Sequence, residues 1–279
     1  MEKERNLGSI IFRQEGFKAY IILNRPEKLN ALTMEMYQTI EQLIDEIEVD
    51  PSIRVVILKG ANHVFSSGYD ISTEAEQSQQ EIDIINARAQ CKKTNSFRWK
   101  IWNSRKPYIA QLEKCCLGGG LSTVIACDFL IGGESLKIGE PEITFGAASG
   151  FLMIPWVCNL RKAKEALLTG MRFTGTQAAE MGLITRAVPD DQVEEEVEKL
   201  ASQVGMVPPN SFALTKSGIN HVYERMGIRQ ATEEWDDLSI LNFFGQTEEV
   251  RLFNEVVVQK GVKAGLKWRD KYFASQQAK

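Results

Sequence analysis

TMEMYQTIEQLIDEIEVDPSIRVVILKG, residues 33–60, is the stretch that decides how this chain folds. Met36, Ile40, Leu43, Ile44 and Ile47 recur at helical spacing and give one apolar face to a helix predicted over 33–49. Thr33 stands where an N-cap belongs. Asp50-Pro51 ends the helix, because a residue before proline is driven out of the α region. Residues 54–59 then read as a buried strand, Val-Val-Ile-Leu at its centre, closed by Gly60. Upstream, 9–14 and 18–23 flank a Glu15-Gly16 turn and read as a hairpin. Strand, helix, strand in this order predicts an α/β fold with a parallel sheet and a right-handed crossover.

Downstream, residues 73–90 are polar and helix-compatible, and a further helix is predicted through 97–104 before Pro107. Residues 108–112, then Gly118-Gly119-Gly120, then the apolar run 121–127 read as strand, glycine turn, helix. Residues 129–133 and 136–139 read as short strands. From Gly150 the pattern is mostly helical. Asp191 with Glu194 has capping-box spacing and opens an acidic helix to Val204. Pro208-Pro209 precedes a helix to about Arg225, broken by Gly227, and Thr247 is placed to cap a last long helix carrying Val250, Phe253, Val256 and Val257. No internal repeat or long linker interrupts the chain. The change to all-helical sequence divides it into a mixed core, 1–203, and a helical C-terminal region, 204–279.

The composition narrows the function classes. The 279 residues are 43% hydrophobic and 25% charged, with a net charge of −4 and a pI near 5.5, which gives no general electrostatic reason to bind nucleic acid or an anionic membrane. Residues 1–6 are charged and lack the apolar core of a signal peptide. The apolar runs fall short of a membrane span. The five cysteines, Cys91, Cys115, Cys116, Cys127 and Cys158, form no C-x-x-C pair, and the only histidines are His63 and His221. A disulfide framework, a metal site and a histidine triad are therefore not expected. The expected compartment is reducing and cytoplasmic.

Three short features carry chemistry. Phe65-Ser66-Ser67-Gly68-Tyr69-Asp70 favours an irregular turn with Gly68 at positive φ, which exposes neighbouring N–H groups; alone, it is also what an ordinary surface turn looks like. Gly118-Gly119-Gly120 before an apolar helix presents unpaired first-turn N–H donors to a developing oxyanion or a phosphate. It lacks the Gly-Lys-Ser/Thr of a P-loop and is not G-x-G-x-x-G, and tight strand–helix packing explains it as well. Gly139-Glu140-Pro141-Glu142 sets two carboxylates beside a proline. In a partly apolar cleft such a carboxyl has a raised pKa and works as acid or base near neutrality; in a solvated loop it does not.

Taken in order, these features resemble the crotonase (enoyl-CoA hydratase/isomerase) family. Residues 23–32, Leu-Asn-Arg-Pro-Glu-Lys-Leu-Asn-Ala-Leu, resemble its N-terminal motif. Residues 65–70 resemble its first oxyanion loop, and 117–120 with Ala126-Cys127-Asp128 its second. Residues 139–146 match its glutamate-bearing segment, and Leu168-Thr169-Gly170 through Thr176 to Gly182-Leu183-Ile184 its "L-T-G … G-L-V" stretch. The resemblance runs from about residue 8 to the C-terminus. It implies a spiral core of ββα turns with a helical C-terminal trimerisation region, hence a homotrimer or hexamer. It implies an acyl-CoA thioester as substrate, in reactions of the fatty acid metabolism type, with no further cofactor and no metal. The Tyr69 and Gly119 N–H groups would form an oxyanion hole, Glu142 would be the acid/base, and Ser122 and Gly150 would orient a water or the acyl chain. Coenzyme A would lie along Arg25, Lys28, Leu29, Ser66, Ser67, Asp70 and Ile71. The tail 263–279, with five cationic residues and one Asp, would either meet the CoA phosphates of a neighbouring subunit or form a solvated helix face.

Several positions depart from the family pattern. Hydratases of the family carry a second glutamate where this chain has Ser122, which leaves isomerase and hydratase-lyase chemistry open beside hydration, with a hydrolase on a bulky acyl-CoA or a non-catalytic scaffold as alternatives. Gly-Gly-Gly-Leu-Ser resembles the feruloyl-CoA type of hydratase-lyase, although its phenol-binding tyrosines have no match; Glu74 and 234–236, including Trp235, stand near their positions. Glu113-Lys114 replaces Asn-Gly. Ala148-Ser149-Gly150-Phe151-Leu152 replaces Pro-Gly-x-Gly-Gly. Phe145, Phe151 and Trp156 suggest either a bulky apolar acyl pocket or core packing. Glu140 is a second acid/base candidate, behind Glu142 because only Glu142 matches the family position.

Overall fold

A computed structural model describes residues 2–72, 83–245 and 247–277. Glu74 and most of the polar segment after it lie outside the described residues. A seven-stranded sheet takes the order β1 (Glu2–Asn6), β2 (Ile10–Glu15), β3 (Lys18–Leu23), β4 (Val55–Gly60), β5 (Tyr108–Leu112), β7 (Phe129–Gly133), β9 (Arg186–Val188). β1 to β3 pair antiparallel and the rest parallel. β6 (Cys115–Leu117) and β8 (Lys137–Gly139) form a second, two-stranded parallel sheet.

The crossover between β3 and β4 is α1 (Met34–Val49), capped by the Thr33 hydroxyl accepting from the Met36 N–H. Its buried residues are those of the apolar stripe, with Tyr37 added. β4 is buried on both faces because successive side chains alternate: Val56 and Leu58 join the main core, which includes the buried face of α1, whereas Val55 and Ile57 join Val197, Leu200 and Ala201 of α7 (Val193–Gly205). α7 thus covers the sheet and runs through the 203/204 division. It begins after a 3-10 turn at Asp190–Gln192 with no side-chain cap, so the Asp191–Glu194 capping box expected there does not form. A capping box does form at Thr174 and Gln177.

The helix expected at 97–104 is the end of a longer one, α2 (Ile84–Asn103), started by Asp83 accepting from the Ile85 and Asn86 N–H groups. α3 (Gly119–Val124) follows the glycine turn. After the short α4 (Ile154–Val157), α5 (Leu160–Thr169) and α6 (Gly175–Glu180) come the C-terminal helices α8 (Pro209–Met226), α9 (Ile228–Phe244), α10 (Glu248–Lys260) and α11 (Val262–Gln277). The last two replace the single long helix expected there, since Gly261 at φ +82° divides them. Within this chain α9 folds back over residues 146–152: Asn242 Nδ2 donates to the Gly146 carbonyl (2.8 Å), Trp235 Nε1 to Ser149 (2.9 Å) and Thr232 Oγ1 to Leu152 (3.3 Å).

Candidate active site

Two backbone amides are set up by loops far apart in sequence. Residues 29–32 and 67–70 are laced together: Ser67 N–H donates to Leu29, Leu32 N–H to Gly68, and Asp70 N–H to Leu32. Tyr69 is the residue bridged to Leu32 in this parallel pairing, so the alternation of a strand turns its own N–H to the opposite side. The turn requires Gly68 at φ +104°. Close to this turn lies Gly119, the first residue of α3, preceded by Gly118 at φ +48° whose N–H donates to the Gly139 carbonyl (2.8 Å). A β-carbon on Gly68 would lie 3.6 Å from the Gly119 nitrogen. Among the described residues neither the Tyr69 nor the Gly119 N–H donates a hydrogen bond.

The carboxylates sit directly behind. Glu142, on the 3-10 turn Pro141–Phe145, is buried, and its Oε1 occupies the place a Gly118 β-carbon would take, 1.8 Å from it. Glu140 is 2% exposed and accepts from the Ser122 hydroxyl at 3.0 Å. Burial pushes its carboxyl up to about 7, while the neighbouring Ser122, Glu142, Ser149 and Arg98 favour the charged form.

The Tyr69 side chain stands between these groups and a cavity. Its ring lies 2.9 Å from where a Gly119 β-carbon would be, and its hydroxyl 1.9 Å from a β-carbon on Gly150, which would also lie 3.3 Å from Ser122 Oγ. Burial raises the phenol pKa well above its ordinary value, and Tyr37, Glu140 and Glu142 add to the rise. The cavity, of about 580 Å³, is lined by Tyr69, Asp70, Ile71, Ser149 and Gly150, by α2, and by Ile240 and Phe253 of the C-terminal helices. Glu142, Ser122 and Gly119 do not line it. Phe145 does, stacked on Phe253 at 5.6 Å. Phe151 and Trp156 instead belong to the main core.

The residues expected along coenzyme A form one surface at residues 25–32 and 66–71. Arg25 donates to the Ala31 carbonyl (2.7 Å) and to Asp70 (3.1 Å), tying the two loops together. Burial alone would raise the Asp70 carboxyl, but hydrogen bonds from Ser72 and Arg25 outweigh it and hold it below the usual range. Ser66 is fully buried, donating to Asn30 O and accepting from the Gly68 N–H. Lys28 and Leu29 are exposed, Leu29 and Asn30 in the left-handed region. Ser67 and Ile71 are partly buried, and Ile71 packs toward Phe253 and Val257. In the tail, Arg269 reaches Thr144 of the same chain and Asp270.

One buried network had no counterpart in the sequence reading. Arg98 of α2, fully buried against Tyr37, Phe97 and Phe151, donates from Nε to the Ser122 carbonyl (2.7 Å) and from Nη1 to Asn95 Oδ1. Asn95 in turn donates to Asp236 of α9 (2.7 Å), whose carboxyl burial raises to about 6. A lone arginine between two aromatic residues, Phe97-Arg98-Trp99, is the signal that was present.

A sequence model of the enoyl-CoA hydratase/isomerase family matches residues 14–270. The chain is 30% identical over 210 residues to a hydroxycinnamoyl-CoA hydratase-lyase of Pseudomonas fluorescens, covering 74% of this chain and 76% of that one. It is 28% identical to a short-chain-enoyl-CoA hydratase of Clostridium acetobutylicum, covering 77% and 82%. The crystal structure of an enoyl-CoA hydratase/isomerase from Xanthobacter autotrophicus Py2 superposes with a TM-score of 0.91 at 31% identity, covering 96% of this chain and 99% of that one. This chain belongs to the enoyl-CoA hydratase/isomerase family, the crotonase superfamily expected from its motifs, and has that fold.

Proposed function

We propose that this chain processes an acyl-CoA thioester by enolate chemistry, with the carbonyl oxygen held between the Tyr69 and Gly119 N–H groups and Glu142 moving the proton. The observation that carries this reading is a pair of amides that donate no hydrogen bond among the described residues, on two loops that meet where Gly68 approaches the Gly119 nitrogen, next to a buried carboxylate. Fixed donors favour the charge that develops on the thioester oxygen, and loss of one such donor raises the barrier by about 3–4 kcal/mol in comparable sites. In this reading the thioester displaces the Tyr69 ring from Gly119, the cavity takes the acyl group, and the surface formed by Arg25, Lys28, Leu29, Ser66, Ser67, Asp70 and Ile71 takes coenzyme A. The exposed apolar residues Leu214, Ile219, Val222 and Met226 along α8 support assembly as a homotrimer or hexamer.

The test is Glu142→Gln. Turnover falls by 10³-fold or more while the CoA-ester dissociation constant, read by calorimetry, stays within about threefold. Near-wild-type turnover removes Glu142 from the role. A second reading, hydratase-lyase action on a bulky acyl-CoA, is favoured by the 580 Å³ cavity and by Ser122 in place of a glutamate. Product masses separate the two: water addition, isomerisation and C–C cleavage give different ions.

A further inference from the structure

The proposed chemistry leaves Glu140 unused, yet no carboxyl of the site is more enclosed. It is 2% exposed, at the N-cap of the Pro141–Phe145 turn, and Pro141 carries its chain straight on to Glu142. Its Oε1 accepts the Ser122 proton at 3.0 Å, and Glu142 and Ser149 also interact with its carboxyl. Two carboxyl groups enclosed side by side cost stability, and a structural hydroxyl–carboxyl pair would not need to stand beside a second carboxyl. Ser122 faces two ways. Its hydroxyl is bonded to Glu140, and its oxygen lies 3.3 Å from the point where a Gly150 β-carbon would project, beside the Tyr69 hydroxyl. Gly150 and Tyr69 both line the cavity. The serine is therefore the link between the cavity side and the enclosed carboxylate.

We propose that Glu140, acting through the Ser122 hydroxyl, supplies the second carboxyl group of a water-addition reaction, placed on the loop before Pro141 instead of on the helix after the glycines. In the step, the water oxygen bonds to Cβ of an enoyl thioester and one of its O–H bonds breaks. That proton passes to Ser122 Oγ as the serine proton passes to Glu140. The Cα=Cβ pair becomes the enolate under the two amides, and the enolate carbon takes the proton held by Glu142. Glu140 then returns its proton to solvent as Glu142 regains one, so atoms and charge balance. This rests on the enolate reading above. The groups facing Glu140 are Glu142 and Ser149 from the flanking loop, Ser122 from α3 and Arg98 from α2. The phenol of Tyr69 and the thiol of Cys116 also feel its charge. Arg98 is the only cation among them, and the carboxyl is raised to about 7, where it can both take and release a proton near neutral pH.

The test uses the full-length protein and two readouts. One is water addition to crotonyl-CoA and cinnamoyl-CoA. The other is exchange of the α-proton of butyryl-CoA in deuterated water, which needs the amides and Glu142 but no added water. Glu140→Gln lowers hydration kcat about 10²-fold or more and removes the pH-profile limb near 7. KM and α-proton exchange stay within about threefold of wild type. Ser122→Ala reproduces the loss, the double variant is no worse than either single one, and Glu140→Asp restores part of the rate. Should Glu140→Gln not fold, Ser122→Ala and Glu140→Asp carry the same comparison. Hydration by Glu140→Gln with wild-type kcat and the limb retained overturns the inference, as does a wild-type protein that exchanges the α-proton but adds water to neither ester. Loss of exchange and turnover in Glu142→Gln together with full hydration by Glu140→Gln leaves the enolate reading standing and sinks this one.

Discussion

The amide half of the candidate site and its carboxylate half are held by different means. Tyr69 and Gly119 are aimed by main-chain bonds: Leu32 grips residues 68 and 70 on either side, and Gly139 grips Gly118. Side-chain identity hardly enters, except where glycine alone tolerates the backbone. Glu140, Glu142 and Ser122 are aimed by packing and by one another. The first arrangement resists substitution around it and fails at its glycines; the second fails by degrees as each neighbour changes. The two halves meet at Gly118, whose positive φ aims the next amide and whose missing side chain is the space Glu142 fills.

Gly118→Ala is therefore expected to have the largest effect, because it breaks both halves at once. The backbone at φ +48°, ψ −119° is one that an L side chain rarely adopts, and the new methyl would sit 1.8 Å from Glu142 Oε1. Strain of about 1–3 kcal/mol and a turnover loss of at least about 10²-fold are expected from thermal unfolding and steady-state assays. If activity survives with only stability lost, the carboxylate is not positioned by the glycine turn. Gly150→Ala separates the halves. No positive φ is recorded there, so the backbone accepts alanine, but the methyl would lie 1.9 Å from the Tyr69 hydroxyl. The ring must shift while the Tyr69 amide stays laced to Leu32. A change in KM of about 3- to 10-fold with kcat less affected is expected; an equal fall in both would mean that the ring and the amide cannot move independently.

The same contrast explains what was legible in the sequence. The sheet crossover was readable because Met36, Ile40, Leu43, Ile44 and Ile47 sit at helical spacing and all are buried, and the amide loops because glycine announces positive φ. Lys114 shows the limit: it holds φ +58° where the family has glycine, a requirement visible only from the resemblance. The edge strand β1 was missed because Glu-Lys-Glu-Arg-Asn carries no apolar alternation; a charged edge needs none and is protected by its charge. The capping box at 191–194 failed because residues 190–192 had already entered a 3-10 turn. On the carboxylate side, the Ser122–Glu140 bond joins residues 18 positions apart and the Asn95–Asp236 bond residues 141 apart, which no local pattern encodes.

Stability against pH sharpens the comparison from the carboxylate side alone, since backbone amides do not titrate. A carboxyl raised above its unfolded value binds its proton more tightly when folded. The stability tied to that proton is present below the unfolded pKa and is lost as pH rises through the folded one. For Glu140 that window runs from the ordinary 4.5 up to about 7, so unfolding by urea should show the protein growing more stable as pH falls from 7.5 toward 5, with Glu140→Gln flattening that slope.

Asp236→Asn is the smallest and last of these tests. Its window runs from 3.8 to about 6, and asparagine keeps an oxygen to accept from Asn95. At pH 7 the variant should be stabilised by about 1 kcal/mol or less, allowing for solvent screening of a partly enclosed group, with its urea midpoint no longer rising as pH falls through 6. Because Asp236 reaches the site through Asn95 and Arg98 among the described residues, kcat should hold within about twofold. A larger loss would mean that the charge chain from α9 through Arg98 to the Ser122 carbonyl sets the position of α3, and that the amide half depends on side chains after all.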